Sequence, residues 1–184
     1  MDLFRQFLTA LLQALRPAVK PVVVPPIEAV VPTLPVEPVV VPPVVKSTTE
    51  KIYDTAKASL GKHMTLDNTV PISVGCAQAV SAVLRYSGVI IPKKGISGTA
   101  EMHTWLKNNP AFSSIKYAEQ GCIIISPTGS GNGKIRGHVG IVGIHGIMSN
   151  ESQTGLWRQQ WDMTSWVTYY KGYGGLGVYY FKAK

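Results

Sequence analysis

The sequence is poor in cysteine, in runs of charge and in metal-binding spacings, and each shortage excludes a class of protein. Two cysteines among 184 residues cannot form a disulfide framework, so a folded domain must be held together by packing. No run of basic residues and no nucleic-acid-binding motif occurs, so we do not expect nucleic acid as a partner. The four histidines form no His-x3-His pair and there is no Cys-x2-Cys, so we expect no metal and no cofactor.

What the sequence does contain is enough apolar material for a core and an excess of positive charge. Hydrophobic residues make up 45% of the chain, as in globular proteins. The formal net charge is +8, and from residue 47 onward fourteen Lys and Arg accompany seven Asp and Glu. A basic surface attracts polyanions, among them the bacterial cell wall.

Residues 1–16 have the pattern of an amphipathic helix, with Asp2 as a suitable N-cap and Pro17 at its end. About fifteen helical residues span only ~22 Å, less than the ~30 Å hydrocarbon core of a membrane, and no signal-peptide cleavage site is evident. We expect the helix to dock on a membrane surface or on a partner protein, with packing on the chain's own domain as the alternative. Its apolar positions are Phe4, Phe7, Leu8, Leu11, Leu12 and Leu15.

Residues 17–46 have the composition of an extended linker. They hold nine of the thirteen prolines and twelve valines. Proline removes backbone donors and forces the preceding residue into extended geometry, which excludes a helix or a central strand. We expect a polyproline II spacer that reaches about 90 Å at ~3.1 Å per residue.

Residues 47–184 have the patterns of one folded domain. Helical periodicity comes first in this region, and short apolar runs separated by glycine-rich loops follow. This order indicates an α+β domain in which N-terminal helices pack on an antiparallel sheet. Helices are predicted at 77–86 and 99–108, and strands at 121–126, at 138–144 and, as a pair, at 169–182.

Cys76 directly precedes the predicted helix at 77–86. A thiol at a helix N-terminus lies beside unpaired backbone N–H groups and the positive end of the helix dipole, which favours the nucleophilic thiolate. The same N–H groups are suited to hold an oxyanion. Ser73 and Gln78 flank the cysteine and are candidates for orienting a substrate. The alternative is a buried, unreactive thiol, the common fate of a free cysteine.

His138 opens the glycine-rich strand and is the candidate base. A neutral imidazole beside a helix N-terminus is the arrangement that a Cys–His pair requires, and a third group must fix its tautomer. The chain turns near Gly146 and returns on an adjacent strand, which brings Asn150 or Glu151 alongside. These two neighbours point to opposite faces of a strand, and we favour Asn150 as the residue that orients His138.

The order of these residues resembles that of the NlpC/P60 and CHAP cysteine peptidases and amidases, in particular those encoded by bacteriophages. The resemblance rests on Cys76 at a helix start, the apolar strand after Gly121, and the run Gly-His-Val-Gly-Ile-Val at 137–142. It implies a papain-like fold with Cys76 as nucleophile, His138 as base and Asn150 as orienting residue. The chain departs from the family pattern in having Gly-Cys at 121–122, where Gly-Asp is usual.

The resemblance implies a peptidoglycan hydrolase that cleaves amide bonds of the cell wall through an acyl-enzyme. We expect a phage lysin for entry or for host lysis, located in the virion or at the host cell envelope. Two alternatives remain. One is a non-catalytic module on the same fold that binds the cell wall or a protein, and the other is a papain-like deamidase or peptidase that acts on protein.

Overall fold

A computed structural model of the chain describes residues 45–131 and 135–184. The predicted helix at 1–16 lies outside the described residues, as does the predicted linker up to residue 44. Within the described ranges, no helix combines the length and the apolar character that crossing a membrane requires.

The first helix is fixed by its cap and by a buried stripe. α1 (Thr48–Ala58) begins at a capping box in which the side chains of Ser47 and Glu50 each accept from the other residue's backbone amide. Ala56 is fully buried, and its carbonyl accepts from the indole Nε1 of Trp157 at 2.9 Å. α1 is therefore packed against the sheet.

Two further helices occupy the positions that the sequence predicts. α2 (Cys76–Tyr86) starts one residue earlier than predicted, and α3 (Thr99–Asn108) has the predicted bounds. The nine residues from Cys76 to Leu84 are all buried, because α2 carries mostly small and apolar side chains around its whole circumference. A helix enclosed in this way fixes the place of its first residue, Cys76.

The strands of the described part of the chain form one six-stranded sheet in the order β1-β6-β2-β3-β4-β5. Every neighbouring pair is antiparallel, which confirms the predicted α+β class with an antiparallel sheet. The strands are β1 (Phe112–Ile115), β2 (Ile123–Ser126), β3 (His138–Val142), β4 (Ile147–Asn150), β5 (Trp157–Trp161) and β6 (Tyr179–Ala183).

The two faces of the sheet carry different cores. Because side chains alternate along a strand, Ile123 and Ile125 lie on one face of β2, and Ile124 lies on the other. The first, here called the helical face, is covered by α1, α2 and α3 and is mainly aliphatic. The second, the aromatic face, is covered by segments that follow β5. Its buried members include Cys122, Ile124, Val142, Ile147, Trp166 and Tyr170.

The segment after β5 differs from the strand pair predicted at 169–182. α4 (Met163–Trp166) begins at Asp162, whose carboxylate accepts from the Ser165 amide at 2.7 Å, and it continues as a π-helical segment, Val167–Tyr173. Of the predicted pair, only β6 is a strand. The prediction is wrong because the Asp162 cap starts a helix, in which aromatic side chains about one turn apart meet on one side.

Candidate active site

Cys76 is the first residue of α2 and lies where that helix meets the start of β3. A short 3-10 turn, Ile72–Val74, leads into it, and Gly75 occupies the N-cap position without a side-chain cap. The residue is 7% exposed. Burial raises the pKa of the Cys76 thiol to about 11, although the backbone amides of Ala77 and Val139 act in the opposite direction.

His138 is the first residue of β3 and lies on the aromatic face. Its ring stacks on Tyr170 at a centroid distance of 5.9 Å and lies 5.4 Å from the Trp166 ring. The residue is 6% exposed. Burial lowers the pKa of His138 to about 4, and no group among the described residues forms a hydrogen bond with the imidazole.

Cys76 and His138 line the same cavity, which has a volume of about 250 Å³. The sulfur comes from the helical face and the imidazole from the aromatic face, so they meet at the end of the sheet where β3 begins. Within the described part of the chain, no hydrogen bond joins them. The structure thus brings the predicted nucleophile and base to one cavity without direct hydrogen bonding. The cavity wall also includes Ser73, Thr99, Thr128, Arg136, Ser152 and Tyr170.

The two groups are neutral at rest, in contrast to the thiolate predicted from the helix N-terminus. Desolvation outweighs the helix dipole, since a pKa of about 11 for Cys76 and of about 4 for His138 both disfavour the charged forms. Proton transfer from sulfur to imidazole is therefore unfavourable unless another group stabilises the resulting charge. The arrangement suits a transfer that accompanies attack on a bound carbonyl, rather than a stable thiolate–imidazolium pair.

Among the described residues, no hydrogen bond joins Asn150 to the imidazole, in contrast to the orienting role predicted for it. β3 and β4 pair Gly140 with Ser149, and the same register continued by two residues sets Glu151, not Asn150, opposite His138 on one face of the sheet. The Asn150 side-chain amide donates to the Ile72 carbonyl at 3.0 Å. Asn150 therefore anchors the turn that leads into the cysteine.

Glu151, the alternative third residue, shares a second cavity with His138. That cavity has a volume of about 480 Å³ and also includes Gln160. The Glu151 carboxylate pairs with Arg158, with 3.0 Å between Oε2 and Nε, and accepts from the Thr154 hydroxyl. Glu151 is thus close to the imidazole in the fold but bonded elsewhere. Among the described residues, no side chain holds the imidazole in the way a third catalytic residue does.

The two residues predicted to orient a substrate have different environments. Ser73 is exposed in the 3-10 turn and lines the cavity. Gln78 is fully buried, where its amide donates to the Lys94 carbonyl at 2.8 Å and its oxygen accepts from the Leu66 amide at 3.2 Å. Ser73 is available to a ligand, whereas Gln78 braces the neighbouring loops.

Residues that belong to no sequence motif complete the cavity wall. The Thr128 amide donates to Thr99 Oγ1 at 3.0 Å, and the two hydroxyls lie 3.0 Å apart. Thr128 Oγ1 also accepts from the Gly137 amide at 2.8 Å. This network ties the start of α3 to the loop before β3. Arg136 lies in that loop, two positions before His138, and was not predicted as a site residue from the sequence.

Neither known relatives nor a cluster of metal-binding side chains adds to the identification. No protein-family model matches the chain, and no curated protein is significantly similar to it. In the two described ranges, no group of three or more His, Cys, Asp or Glu side chains is arranged to hold a metal ion. The resemblance to the NlpC/P60 and CHAP families therefore stays a prediction that rests on the residues named above.

Proposed function

We propose that Cys76 and His138 are the nucleophile and the general base of a papain-like cysteine hydrolase. The observation that carries the proposal is the single cavity lined by both side chains. A cysteine at a helix start and a histidine at a strand start, brought together on an α+β scaffold, are the elements that such an enzyme requires. A cavity between two packed layers gives a reacting carbonyl room to enter.

Cleavage of an amide at this site takes two steps. As the Cys76 sulfur attacks the carbonyl carbon, His138 accepts the thiol proton, and negative charge moves to the carbonyl oxygen. The uncapped N–H groups at the start of α2 are the donors available to that oxygen. His138 then donates the proton to the leaving amine, and a thioester remains. Water, deprotonated by His138, attacks the thioester, which releases the acid and restores the thiol.

Neutral resting groups are compatible with these proton transfers. Because burial holds the Cys76 pKa at about 11, the sulfur is a weak nucleophile until a substrate occupies the cavity. Attack forms two charges together: a negative one on the substrate oxygen, beside the positive end of α2, and a positive one on the His138 imidazolium, which the nearby oxyanion stabilises. The protein therefore has no need to maintain an isolated thiolate.

The proposed substrate is bacterial peptidoglycan, and the proposed role is that of a phage lysin in entry or in host lysis. Support comes from the resemblance in the residues around Cys76 and His138. It also comes from the excess of basic residues after residue 47, which suits a polyanionic wall. Amide bonds of the stem peptides and of the sugar–peptide junction are of the type that this chemistry cleaves. Such a role places the protein in the virion or at the host cell envelope.

A zymogram with purified cell walls tests the proposal, with the second cysteine as the matched control. Cys76→Ser replaces sulfur with a poorer nucleophile, and we expect clearing to fall by at least about 10³-fold. Cys122→Ser makes the same substitution at a buried thiol on the aromatic face, outside the cavity. We expect it to keep its activity, with circular dichroism as the check on folding. Equal clearing by wild type and Cys76→Ser would end the enzyme proposal.

A second candidate function is a non-catalytic module that binds the cell wall or a protein. It is favoured by the orientation of Asn150 and Glu151, which are both bonded away from the imidazole. In that case wild type and Cys76→Ser would sediment equally with cell walls, and neither would clear them. A third outcome would identify a papain-like peptidase or deamidase. In that case mass spectrometry would detect cleaved or deamidated proteins but no released muropeptides.

A further inference from the structure

Two helix N-termini meet at the cavity that holds Cys76 and His138. α2 begins there at Cys76, and α3 begins there at Thr99, with Gly98 as its N-cap. Neither helix has a side-chain cap, and at α3 no described side chain competes with a ligand for the first backbone N–H groups. Each N-terminus carries the equivalent of about half a positive charge. The proposed oxyanion uses α2, whereas α3 has no role in that chemistry.

Arg136 adds a full positive charge to the same wall. It lines the cavity, it is exposed, and it forms no ion pair with any described residue. No Asp or Glu among the described residues lines this cavity, and Ser73 and Thr128 add neutral hydroxyls. A pocket with fixed positive charge, N–H and O–H groups and no acid has the composition of an anion site.

The buried imidazole of His138 is a second and independent sign of a ligand. It is 6% exposed, it lines the cavity, and it has no hydrogen-bond partner among the described residues. Among the described residues, the buried side-chain nitrogen that is closed off without a partner is Trp161 Nε1, so the His138 nitrogens are instead open to the cavities that the ring lines. A peptide in the cavity is placed to bond to them.

The hydroxyl network of Thr99 and Thr128 holds the anion-binding wall in place. It joins the start of α3 to the amide of Gly137, the residue after Arg136. Donors that are fixed before binding lose little freedom when a ligand arrives. The volume of about 250 Å³ is roughly eight waters at ~30 Å³ each, which is room for one residue that bears a carboxylate.

We infer that this cavity binds a carboxylate of the peptide substrate between the Arg136 guanidinium and the N-terminus of α3. The inference rests on the proposed function for the identity of the ligand as a peptide, since the geometry alone specifies an anion. Arg136 is then a specificity-determining residue. It selects peptides with a free carboxylate near the scissile amide over their amidated forms.

Isothermal titration of the full-length Cys76→Ala protein with three synthetic tetrapeptides tests the inference. All three have the backbone L-Ala-γ-D-Glu-L-Lys-D-Ala. One has a free carboxylate only at D-Glu, one only at D-Ala, and in the third both are amidated. We expect at least one carboxylate peptide to bind about ten-fold more tightly than the diamide.

The charge of Arg136 is tested in the same protein. In the Cys76→Ala protein that also carries Arg136→Gln, the preference for the carboxylate peptide over the diamide is expected to fall below about two-fold. The reason is that a bidentate, charge-assisted contact is lost. Lys51→Gln removes the same charge from the exposed side of α1, away from the cavity, and is expected to keep the preference.

Three results overturn the inference: equal binding of the three peptides, no binding of any of them, or a preference that survives Arg136→Gln. They are distinct from failure of the proposed hydrolase. Equal affinity for the three peptides, together with clearing of cell walls that depends on Cys76, would contradict the anion site and support the hydrolase. A carboxylate preference without any clearing leaves the anion site and removes the enzyme.

Discussion

The helical face and the aromatic face of the sheet differ in chemistry, and the candidate site joins them. The helical face is packed with aliphatic side chains, and it holds Cys76 at the start of an enclosed helix. The aromatic face is covered by Trp166 and Tyr170, and these rings enclose His138. One layer therefore positions the sulfur, while the other buries the imidazole and so lowers its pKa.

Removal of the fully buried tryptophan of the aromatic face is expected to have the largest effect. Trp166 is fully buried, its Nε1 donates to the Ser126 hydroxyl at 3.1 Å, and its ring lies against His138. We expect Trp166→Ala to lower the free energy of unfolding by about 3–5 kcal/mol. We also expect the pKa of His138 to rise, because water reaches the imidazole. Urea unfolding and an NMR titration of the imidazole measure the two effects.

Leu84→Ala is the matched control on the helical face. Leu84 is also fully buried, and its truncation is expected to cost about 2–5 kcal/mol of unfolding free energy. The pKa of His138 is expected to stay near 4 in this variant, because the aromatic layer is intact. An equal shift in both variants, or none in Trp166→Ala, would contradict the division of roles between the faces.

The stability of the protein in acid reports on the burial of His138 by the aromatic face. The pKa of this imidazole is about 4 in the folded protein against an ordinary value of 6.5, so the unfolded chain binds more protons between these pH values. The contribution of the buried neutral imidazole to the free energy of unfolding is fully present above pH 6.5, and it is lost as the pH falls towards 4. We expect wild type to lose about 2–3 kcal/mol between about pH 7.5 and pH 4.5 on this account.

The measurement is the free energy of unfolding in urea at the two pH values. His138→Gln is expected to lack this part of the acid loss, and His145→Gln, which removes an exposed imidazole, serves as the control. An identical acid loss in wild type and His138→Gln would assign the titration to another group.

The smallest expected effects distinguish two neighbours at the end of β4. Asn150→Ala removes the hydrogen bond to the Ile72 carbonyl and is expected to cost about 1–2 kcal/mol, with the pKa of His138 unchanged. Glu151→Gln removes a partly exposed ion pair with Arg158 and is expected to cost less than about 1 kcal/mol. Urea unfolding and the imidazole titration measure both. A shifted His138 pKa in Asn150→Ala would restore the orienting role of that residue.

Helices whose apolar residues recur at regular helical spacing can be predicted from this sequence. The role of a side chain whose direction depends on strand register, such as that of Asn150, cannot. The bounds of α2 and α3 follow from their apolar spacing and their flanking residues. The face of Asn150 follows from the hairpin between β3 and β4, which closes through the Gly143 amide and the Gly146 carbonyl at 2.7 Å. A register change of one residue reverses every face, and no pattern in the sequence specifies it.

The candidate site can be predicted in its chemistry but not in its electrostatics. Cys76 and His138 stand out because each begins an element that the pattern predicts. Their protonation states depend on burial. His138 is buried against Trp166 and Tyr170, and these belong to a segment whose helix begins at the Asp162 cap and is not marked by an apolar repeat. The helix N-terminus favours a thiolate, whereas burial raises the pKa of the Cys76 thiol to about 11 and favours the neutral form.

β6 lies between β1 and β2, although the ribosome makes it after all the other strands. Until Tyr179–Ala183 has emerged from the exit tunnel, β1 lacks its partner in the described sheet and β2 keeps an open edge. Tyr170, which closes the cavity beside His138, is also translated late. A nascent chain thus carries Cys76 and His138 before the strand that joins β1 to β2 and the ring that closes the cavity are available.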